Sequence, residues 1–568
     1  MLSFFTSNKK PLVNKVEQVA SRLFTSTYKL NVVLRDGKKK EIKYKKGETL
    51  YDAATNNKVF AVLGQCGGNM SCTQCQIYTK EEDFGKLYKM RPQEKDALGH
   101  ANERIEERSR LSCGLILDEN ADGIEVEMAP LRKRKKKKKR VKKNKKRNLH
   151  PQDTEYVPKQ FDSTFSSAVT KIVDDIYWAG YVDFAVRDFH GYLTPNGSTY
   201  NAYFIKDEKN VAIDSVKYPF ADRWLDKIEY LSGGFDKLDY IVCNHAEPDH
   251  SSSIQYLMKK APYAEVVCNE KCKTTLSQHF DTSDWKFRVV NHGESLKLGK
   301  RTLSFYNTPL SHWPESMVSY LAAEQILFSM DILGQHYASS KRFDDEVKWD
   351  DIEHEAKIYY ANILMRLSVP VQKSLKLLGG VPVKMILPSH GQIFRNPENI
   401  NKMVQNYVNW SKCTPTNKIV IIYDTMWNST EKMAYHILDG IQKVGGVDVK
   451  LMNVRRNHIT DIATEVLDCA AIVVGSPVLN EHIMPEIGSA LTYLEGLRPQ
   501  NKLAMAFGSY GWSAGGAVKD INRYLNSIRA KIVRPEVLSQ FAPNEDVIEE
   551  CHKAGEEMAK AVLEHLKK

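Results

Sequence analysis

A chain of α+β and α/β modules joined in series is the architecture this sequence predicts, and three observations carry it. Short apolar runs of strand length recur, and several stop abruptly at a polar loop bearing histidines, carboxylates or hydroxyls, where open α/β folds place their sites. Four of the ten cysteines crowd an early stretch, between Cys66 and Cys113. A dense lysine and arginine run then separates that cysteine-bearing stretch from the larger remainder of the chain.

A length of 568 residues suggests about three or four domains, and 42% hydrophobic content permits real cores. The longest apolar runs fall short of the ~18 residues of a membrane span, so none is expected. The net charge of +11 is local. Residues 132–147 hold 14 lysines and arginines, and without them the chain carries −3. That excludes a nucleic-acid-binding face spread over a whole domain. Ten cysteines are too sparse for a disulfide scaffold in a chain this long. The expectation is a reducing compartment with one cysteine-based site.

Residues 1–25 carry Lys9, Lys10, Lys15 and Arg22 against the single acid Glu17, with many hydroxyls and interspersed Leu2, Phe4, Phe5, Leu12 and Val13. The apolar centre of a secretory signal is missing. The segment resembles an organellar targeting presequence, cleaved near Arg22-Leu-Phe24. A frayed terminus is the plainer alternative.

Residues 28–130 form the first domain. Tyr28–Leu34 and Glu41–Tyr44 alternate like strands, Asp36-Gly37 between them signals a hairpin, and Thr49–Ala54 opens like a helix. Cys66, Cys72 and Cys75 come next with Cys-x5-Cys-x2-Cys spacing, and Cys113 stands further on. Gly64, Gly67 and Gly68 let the backbone wrap a cluster closely. Four thiolates are what a [2Fe–2S] cluster needs. The x5 loop and the late ligand in Arg110-Leu-Ser-Cys113 resemble the adrenodoxin-like ferredoxins, which implies a β-grasp fold. A zinc site or a Cys72-Thr-Gln-Cys75 redox pair fits the spacing poorly.

Residues 131–157 form a Lys/Arg-rich linker. Charges this dense repel, so the segment should be solvated and extended; a coil of ~20 residues spans roughly 25 Å. It reads as a tether that could also dock an acidic redox partner; nuclear import or nucleic-acid binding is the competing idea.

Residues 158–410 form the second domain, organised around Asn244-His-Ala-Glu-Pro-Asp-His250. Lys237–Cys243 before it reads as a buried strand, which Pro248 and Ser251–Ser253 break. Two imidazoles and two carboxylates within six residues repel and desolvate one another unless a cation sits among them. A polar loop with surface histidines is the bland alternative. The motif resembles the metal loop of the metallo-β-lactamase-like fold, with Glu247 where its hydrolases carry a second histidine. That change resembles the flavodiiron proteins and favours a harder ion such as iron. Ile176–Gly180, Arg187–Tyr192 and Ser198–Tyr203 resemble the opening of the same family. Downstream, His312 comes after the strand-like Thr302–Asn307, Asp331 closes Leu327–Asp331, and His390 closes Leu387–His390. The resemblance implies an αββα sandwich with a two-metal site.

Residues 415–568 form the third domain. The apolar strand Lys418–Tyr423 runs into Asp424-Thr-Met-Trp-Asn-Ser-Thr430 and then a helix starting near Glu431. Hydroxyls and free amides at a helix start make a phosphate cradle. The dinucleotide and P-loop glycine fingerprints are absent here. Thr425, Met426, Trp427, Asn428, Ser429 and Thr430 resemble the flavodoxin phosphate loop, implying a doubly wound parallel sheet that binds FMN. Ser476, Pro477 and Asn480, and then Ser509, Tyr510, Gly511 and Trp512, resemble the loops flanking an isoalloxazine ring. Asn428 stands where relatives often have Gly, and Val478 where Thr is common. A flavodoxin-like domain without a cofactor is the alternative.

From residue 28 on, the chain resembles a flavodiiron protein with an N-terminal [2Fe–2S] ferredoxin domain. The resemblance implies that His245, Glu247 and His312 hold one non-haem iron, Asp249, His250 and His390 the other, with Asp331 bridging; the histidine matching His250 does not ligate in every member. It implies reduction of O2 to water or of NO to N2O, for detoxification, with electrons passing from the cluster through FMN. Implied partners are an NAD(P)H-dependent ferredoxin reductase or other donor, and a second copy in a head-to-tail homodimer or dimer of dimers. A nucleic-acid partner is not expected. A mitochondrion-related organelle, hydrogenosome or mitochondrion, is expected, and the cytoplasm otherwise. The other function classes are a metal-dependent hydrolase with regulatory redox modules, marked by zinc and an activated water, and a gas or redox sensor whose basic segment contacts nucleic acid.

Overall fold

The computed structural model describes residues 27–59, 75–87, 89–90, 94–95, 98, 108–129, 169–512 and 514–567. The proposed presequence, the linker, Cys66 and Cys72 lie outside the described residues. The chain divides into two compact units, Met1–Glu155 and Tyr156–Lys568.

In the first unit, strands Thr27–Val33 and Lys39–Lys45 pair as the hairpin that Asp36-Gly37 signalled. Alternation places Leu30, Val32, Ile42 and Tyr44 inward and leaves the lysines in solvent. Helix Leu50–Asn56 is capped by Thr49, whose Oγ1 accepts from the Asp52 amide at 3.1 Å. Five strands, numbered along the chain, stand in the order 2-1-5-3-4, with strands 1 and 5 parallel.

The second unit opens with two sheets packed face to face. One has seven strands in chain order, from Thr170–Val173 to Lys286–Val289; its last four run parallel. The other has five, from Ser295–Lys297 to Met385–Pro388. Val242, Val267 and Ile213 of the first meet Phe305, Phe328 and Leu387 of the second in one apolar cluster. Fully burying a side chain of this kind stabilises by about 1.5–3 kcal/mol. Helices cover the outer faces, so residues on both sides of these strands are apolar, as the short runs implied.

A parallel sheet completes the unit. Its strands stand 2-1-3-4, and the fifth position is split: Lys531–Ile532 and Val537–Gln540 both pair with Leu503–Tyr510. The order reverses beside Lys418–Tyr423, which places a crevice at the strand ends there. This module is not hung on a loose hinge. Ile332, Tyr359 and Tyr407 share a hydrophobic cluster with Ile462, Leu494 and Ile521. The Tyr493 hydroxyl donates to Asn362 Oδ1 at 2.8 Å, and Lys357 pairs with Asp468 at 2.7 Å. Among the described residues, no helix is long and apolar enough to cross a membrane.

Two local expectations need correction. The helix placed near Glu431 begins at Ser429, because Asn428 takes the left-handed conformation (φ 62°) and turns the chain two residues sooner. Ser509 and Tyr510, read as loop, are the last residues of strand Leu503–Tyr510, held there by pairing with Ser539 and Gln540.

Candidate metal centre and a hydroxyl-rich cleft

Strand Leu238–Val242 ends as expected, and Pro248 then begins a one-turn helix, Pro248–Ser251, rather than an irregular loop. Proline suits that first helical position because its missing N–H would be unpaired there anyway. The turn is pinned on both sides. Asp214 accepts from the Asn244 backbone and side chain at 2.8 and 3.0 Å, and Ser251 Oγ donates to Ala246 O at 2.7 Å. His245, Glu247, Asp249 and His250 are thereby buried and directed at the mouth between the two sheets.

The seven residues singled out in the sequence meet there in two groups. His245, Glu247, His312 and Asp331 form one; Asp249, His250 and His390 form the other; within each, one donor atom per residue lies within 4.8 Å of the rest. Asp331 joins them. Its Oδ2 stands 2.9 Å from His312 Nε2 and 3.4 Å from His245 Nε2, while its Oδ1 stands 3.1 Å from His250 Nε2. His250 Nε2 also lies 3.2 Å from Asp249 Oδ2 and 3.1 Å from His390 Nε2, so His250 faces the second group squarely.

These residues fit a pair of cations. Asp249 Oδ1 is buried without a hydrogen-bond partner, and Asp249 Oδ2 and Asp331 Oδ1 have beside them only the crowded imidazoles of His250 and His390. Such orphans are costly in a dry interior unless an ion meets them. Three carboxylates and four imidazoles make a nitrogen–oxygen donor set without thiolate, which suits iron or manganese. Charge coupling is strong. Burial opposes the charged form of His250, yet Asp249 and Asp331 outweigh it and push the ring up to about 9. Burial likewise opposes the Asp331 anion, but His250, His312 and His245 hold it well below the usual carboxylate range. An ion entering the centre would take over the charge those protons carry.

Sequence reasoning missed the residues that orient the donors. Glu315 Oε1 lies 2.8 Å from His245 Nδ1 and accepts the Ala246 amide at 3.1 Å. A carboxylate on Nδ1 fixes the tautomer that leaves Nε2 free to ligate. Its signal was its place in Trp313-Pro-Glu315, three residues after a ligand histidine. His390 Nδ1 donates to Thr199 O at 2.5 Å for the same purpose. His190 Nε2 lies 3.1 Å from Glu247 Oε1, with its side chain 66% exposed. His336 is buried against His390 and bonded through Nδ1 to Ser198 Oγ at 2.7 Å. A cavity of 400 Å³ opens on the centre, walled by Phe189, Tyr192, Trp313, Tyr359 and Asn362.

The hydroxyl-rich cleft lies at the ends of three adjacent parallel strands, so the three loops singled out converge. Thr430 Oγ1 bonds Ser509 Oγ at 2.9 Å, tying the first loop to the third, and Ser476 Oγ accepts the Met484 amide at 3.0 Å. Thr425 Oγ1 is buried without a partner just before the helix N-terminus at Ser429, a fit for an anionic phosphate. Trp427 and Trp512 are 89% and 96% exposed, and Met426 is exposed with them. Pro477, Asn480 (φ 50°) and Gly511 lie in the same turns.

Of the four cysteines, Cys75 and Cys113 are described. Both are buried, with their sulfurs 3.3 Å apart. Strand pairing of Gln76–Thr79 with Ser109–Leu111 brings them together.

Two family models match this chain: an ODP family beta lactamase over residues 199–391 and a flavodoxin over residues 421–555. A nitric oxide reductase of Moorella thermoacetica is 39% identical over 69% of this chain and 98% of its own length. Among solved structures, the rubredoxin oxygen:oxidoreductase of Desulfovibrio gigas matches with a TM-score of 0.69 at 38% identity, over 70% of this chain and 100% of that one. The flavodiiron protein of Giardia intestinalis matches with a TM-score of 0.68 at 37% identity, over 70% and 98%.

Proposed function

Because this chain belongs to the flavodiiron proteins, oxidoreductases that join a metallo-β-lactamase-like domain to a flavodoxin domain, we propose that it reduces O2 to water, NO to N2O, or both. The observation that carries the reading is Asp331, whose two oxygens face two separate donor groups. His245, Glu247 and His312 would hold one iron and Asp249, His250 and His390 the other, with Asp331 bridging. Such a pair supplies Lewis-acid binding and redox chemistry for a diatomic gas, and FMN supplies stored electrons. The chain's own residues do the rest. Phe189, Tyr192, Trp313 and Tyr359 keep the cavity narrow and partly apolar, suited to a small uncharged molecule. His190, exposed on one side and bonded to Glu247 on the other, stands where protons can pass from solvent to the cavity. Thr425–Thr430 would cradle the FMN phosphate, with Ser476–Asn480 and Ser509–Trp512 beside the ring.

Electrons are proposed to enter through a [2Fe–2S] cluster on Cys66, Cys72, Cys75 and Cys113. The 3.3 Å approach of Cys75 and Cys113 and the 2-1-5-3-4 strand order support a β-grasp ferredoxin domain there. An NAD(P)H-dependent ferredoxin reductase is the proposed donor. A head-to-tail dimer would set the flavin of one chain beside the metal centre of its partner; a fully active monomer in solution would refute it. A mitochondrion-related organelle is the proposed location, and a fluorescent fusion of residues 1–25 that stays diffuse would count against it. The hydrolase alternative has no observation in its favour beyond the fold.

The test is an anaerobic assay of the iron- and flavin-loaded chain, pre-reduced and given O2 or NO in separate runs. Rapid flavin reoxidation by either gas is expected. Reoxidation by neither, or zinc as the main occupant with β-lactam or thioester hydrolysis, sinks the reading.

A further inference from the structure

Away from the centre, two helices of the flavodoxin domain cross so closely that only glycine fits between them. On Ser429–Val444, a Cβ added at Gly440 would collide with the carbonyl oxygen of His552; on Glu545–His565, one added at Gly555 would collide with that of Ile437. Helices packed through ordinary side chains stand about 8–10 Å apart. Here the backbones touch, and groups flanking the crossing are drawn together. His436, Asp439 and His552 meet on its rim, with candidate donor atoms all within 4.8 Å of one another.

Their arrangement is that of an open ligand set. His436 and Asp439 sit three residues apart on one helical face. The His436 and His552 rings lie 5.0 Å apart at 61°, an edge-on approach. His436 Nδ1 is buried and lacks a hydrogen-bond partner; Asp439 Oδ2 is 3.6 Å from it, too far to bond directly. A buried ring nitrogen beside a carboxylate it does not bond is free to share a cation with it. One turn along, the same seam is closed by a Lys443–Glu556 ion pair at 2.7 Å.

We propose that His436, Asp439 and His552 bind a divalent transition ion of the zinc class, clipping the two helices together. Two imidazoles and one carboxylate suit zinc, cobalt or nickel, whereas magnesium and calcium want oxygen donors throughout. Asp439 is 54% exposed on the solvent side, which leaves a coordination position for water. The clip has a mechanical consequence. Helix Ser429–Val444 starts at the Thr425–Thr430 loop, so an ion two turns along restrains the element that aims that loop's amides.

The test uses the full chain with iron and flavin in place, cleared of loosely held metal and dialysed against zinc at about 10 µM. Uptake of about one zinc per chain beyond that of a H436Q/H552Q double variant is expected, with the iron count unchanged. Zinc-edge X-ray absorption of the wild-type chain should show imidazole scattering, a readout that does not depend on how the variant folds. Asp439→Asn should weaken the site at least about tenfold. Equal zinc uptake by wild type and double variant, or bound zinc without imidazole scattering, would overturn the proposal.

Discussion

Asp331 follows strand Ile326–Met330 and His250 sits in the one-turn helix Pro248–Ser251, far apart in the chain, yet Oδ1 of Asp331 stands 3.1 Å from Nε2 of His250. The other oxygen of the same carboxylate is 2.9 Å from His312. The carboxylate therefore divides its lone pairs between two donor groups, and His250 belongs to the second of them. Asp331→Asn keeps the shape but removes the charge and one acceptor. Iron content beyond that of the proposed cluster should fall from about two per chain to about one or fewer, while flavin content holds. Metal analysis of the purified variant reads this, and full occupancy would show that Asp331 does not bridge.

Glu315 is expected to act through His245. Glu315→Gln replaces a charge-assisted bond with a neutral one. Metal affinity or gas reduction should drop about 10–100-fold. The FMN content should be unchanged, which separates the effect from general misfolding.

In the flavin cleft, Thr425→Val removes a buried hydroxyl that has no protein partner. If that hydroxyl meets the phosphate, FMN binding should weaken by about 1.5–3 kcal/mol, roughly tenfold or more. Equilibrium dialysis measures it, and unchanged affinity would place the phosphate elsewhere.

Glu355 supplies a pH dependence. Burial, aided by Asp351 and opposed by the bond from Asn196, pushes its carboxyl up to about 7, against 4.5 ordinarily. The folded chain thus holds this proton where the unfolded chain has released it. The stabilisation is complete below about pH 4.5 and is lost as the pH climbs through about 7, a change of a few kcal/mol at most. Glu355→Gln, which retains an acceptor for Asn196, should be at least as stable as wild type at pH 8 and should flatten the dependence. Denaturant melts at pH 5 and pH 8 would reveal it.

Cys113→Ser should damage the proposed cluster. Flavin reduction by a ferredoxin reductase would then slow, while reoxidation of chemically reduced flavin by the gas stays normal. Deleting residues 132–147 should slow the same step if the tether's reach or docking matters. Unchanged turnover in both variants, with the reductase as sole donor, would mean that electrons reach the flavin directly.

Much of the centre was legible because of how such folds are built. Each ligand lies on a segment that follows a strand's C-terminal end, and those ends gather at one edge. His245, Glu247, Asp249, His250, His312, Asp331 and His390 could therefore be singled out as candidates, as could the loops at Thr425, Ser476 and Ser509, but their roles came from the family resemblance and not from local pattern alone. The hairpin at Asp36-Gly37 and the helix capped by Thr49 were legible for a similar reason, since caps and turns are decided by neighbours in the chain.

What only the tertiary structure decided depends on contacts across long separations. Glu315 on His245, His190 on Glu247, and Ser198 on His336 have no spacing that announces them; each is set by packing between elements. The early helix start at Ser429 came from the left-handed turn at Asn428, a conformation that residue merely tolerates. His436 and His552 met because Gly440 and Gly555 let two backbones touch. Local sequence determines which chemistry each loop can carry. The distance between loops is set by the sheets and helices that hold them, because interiors are close-packed and leave one arrangement of the parts.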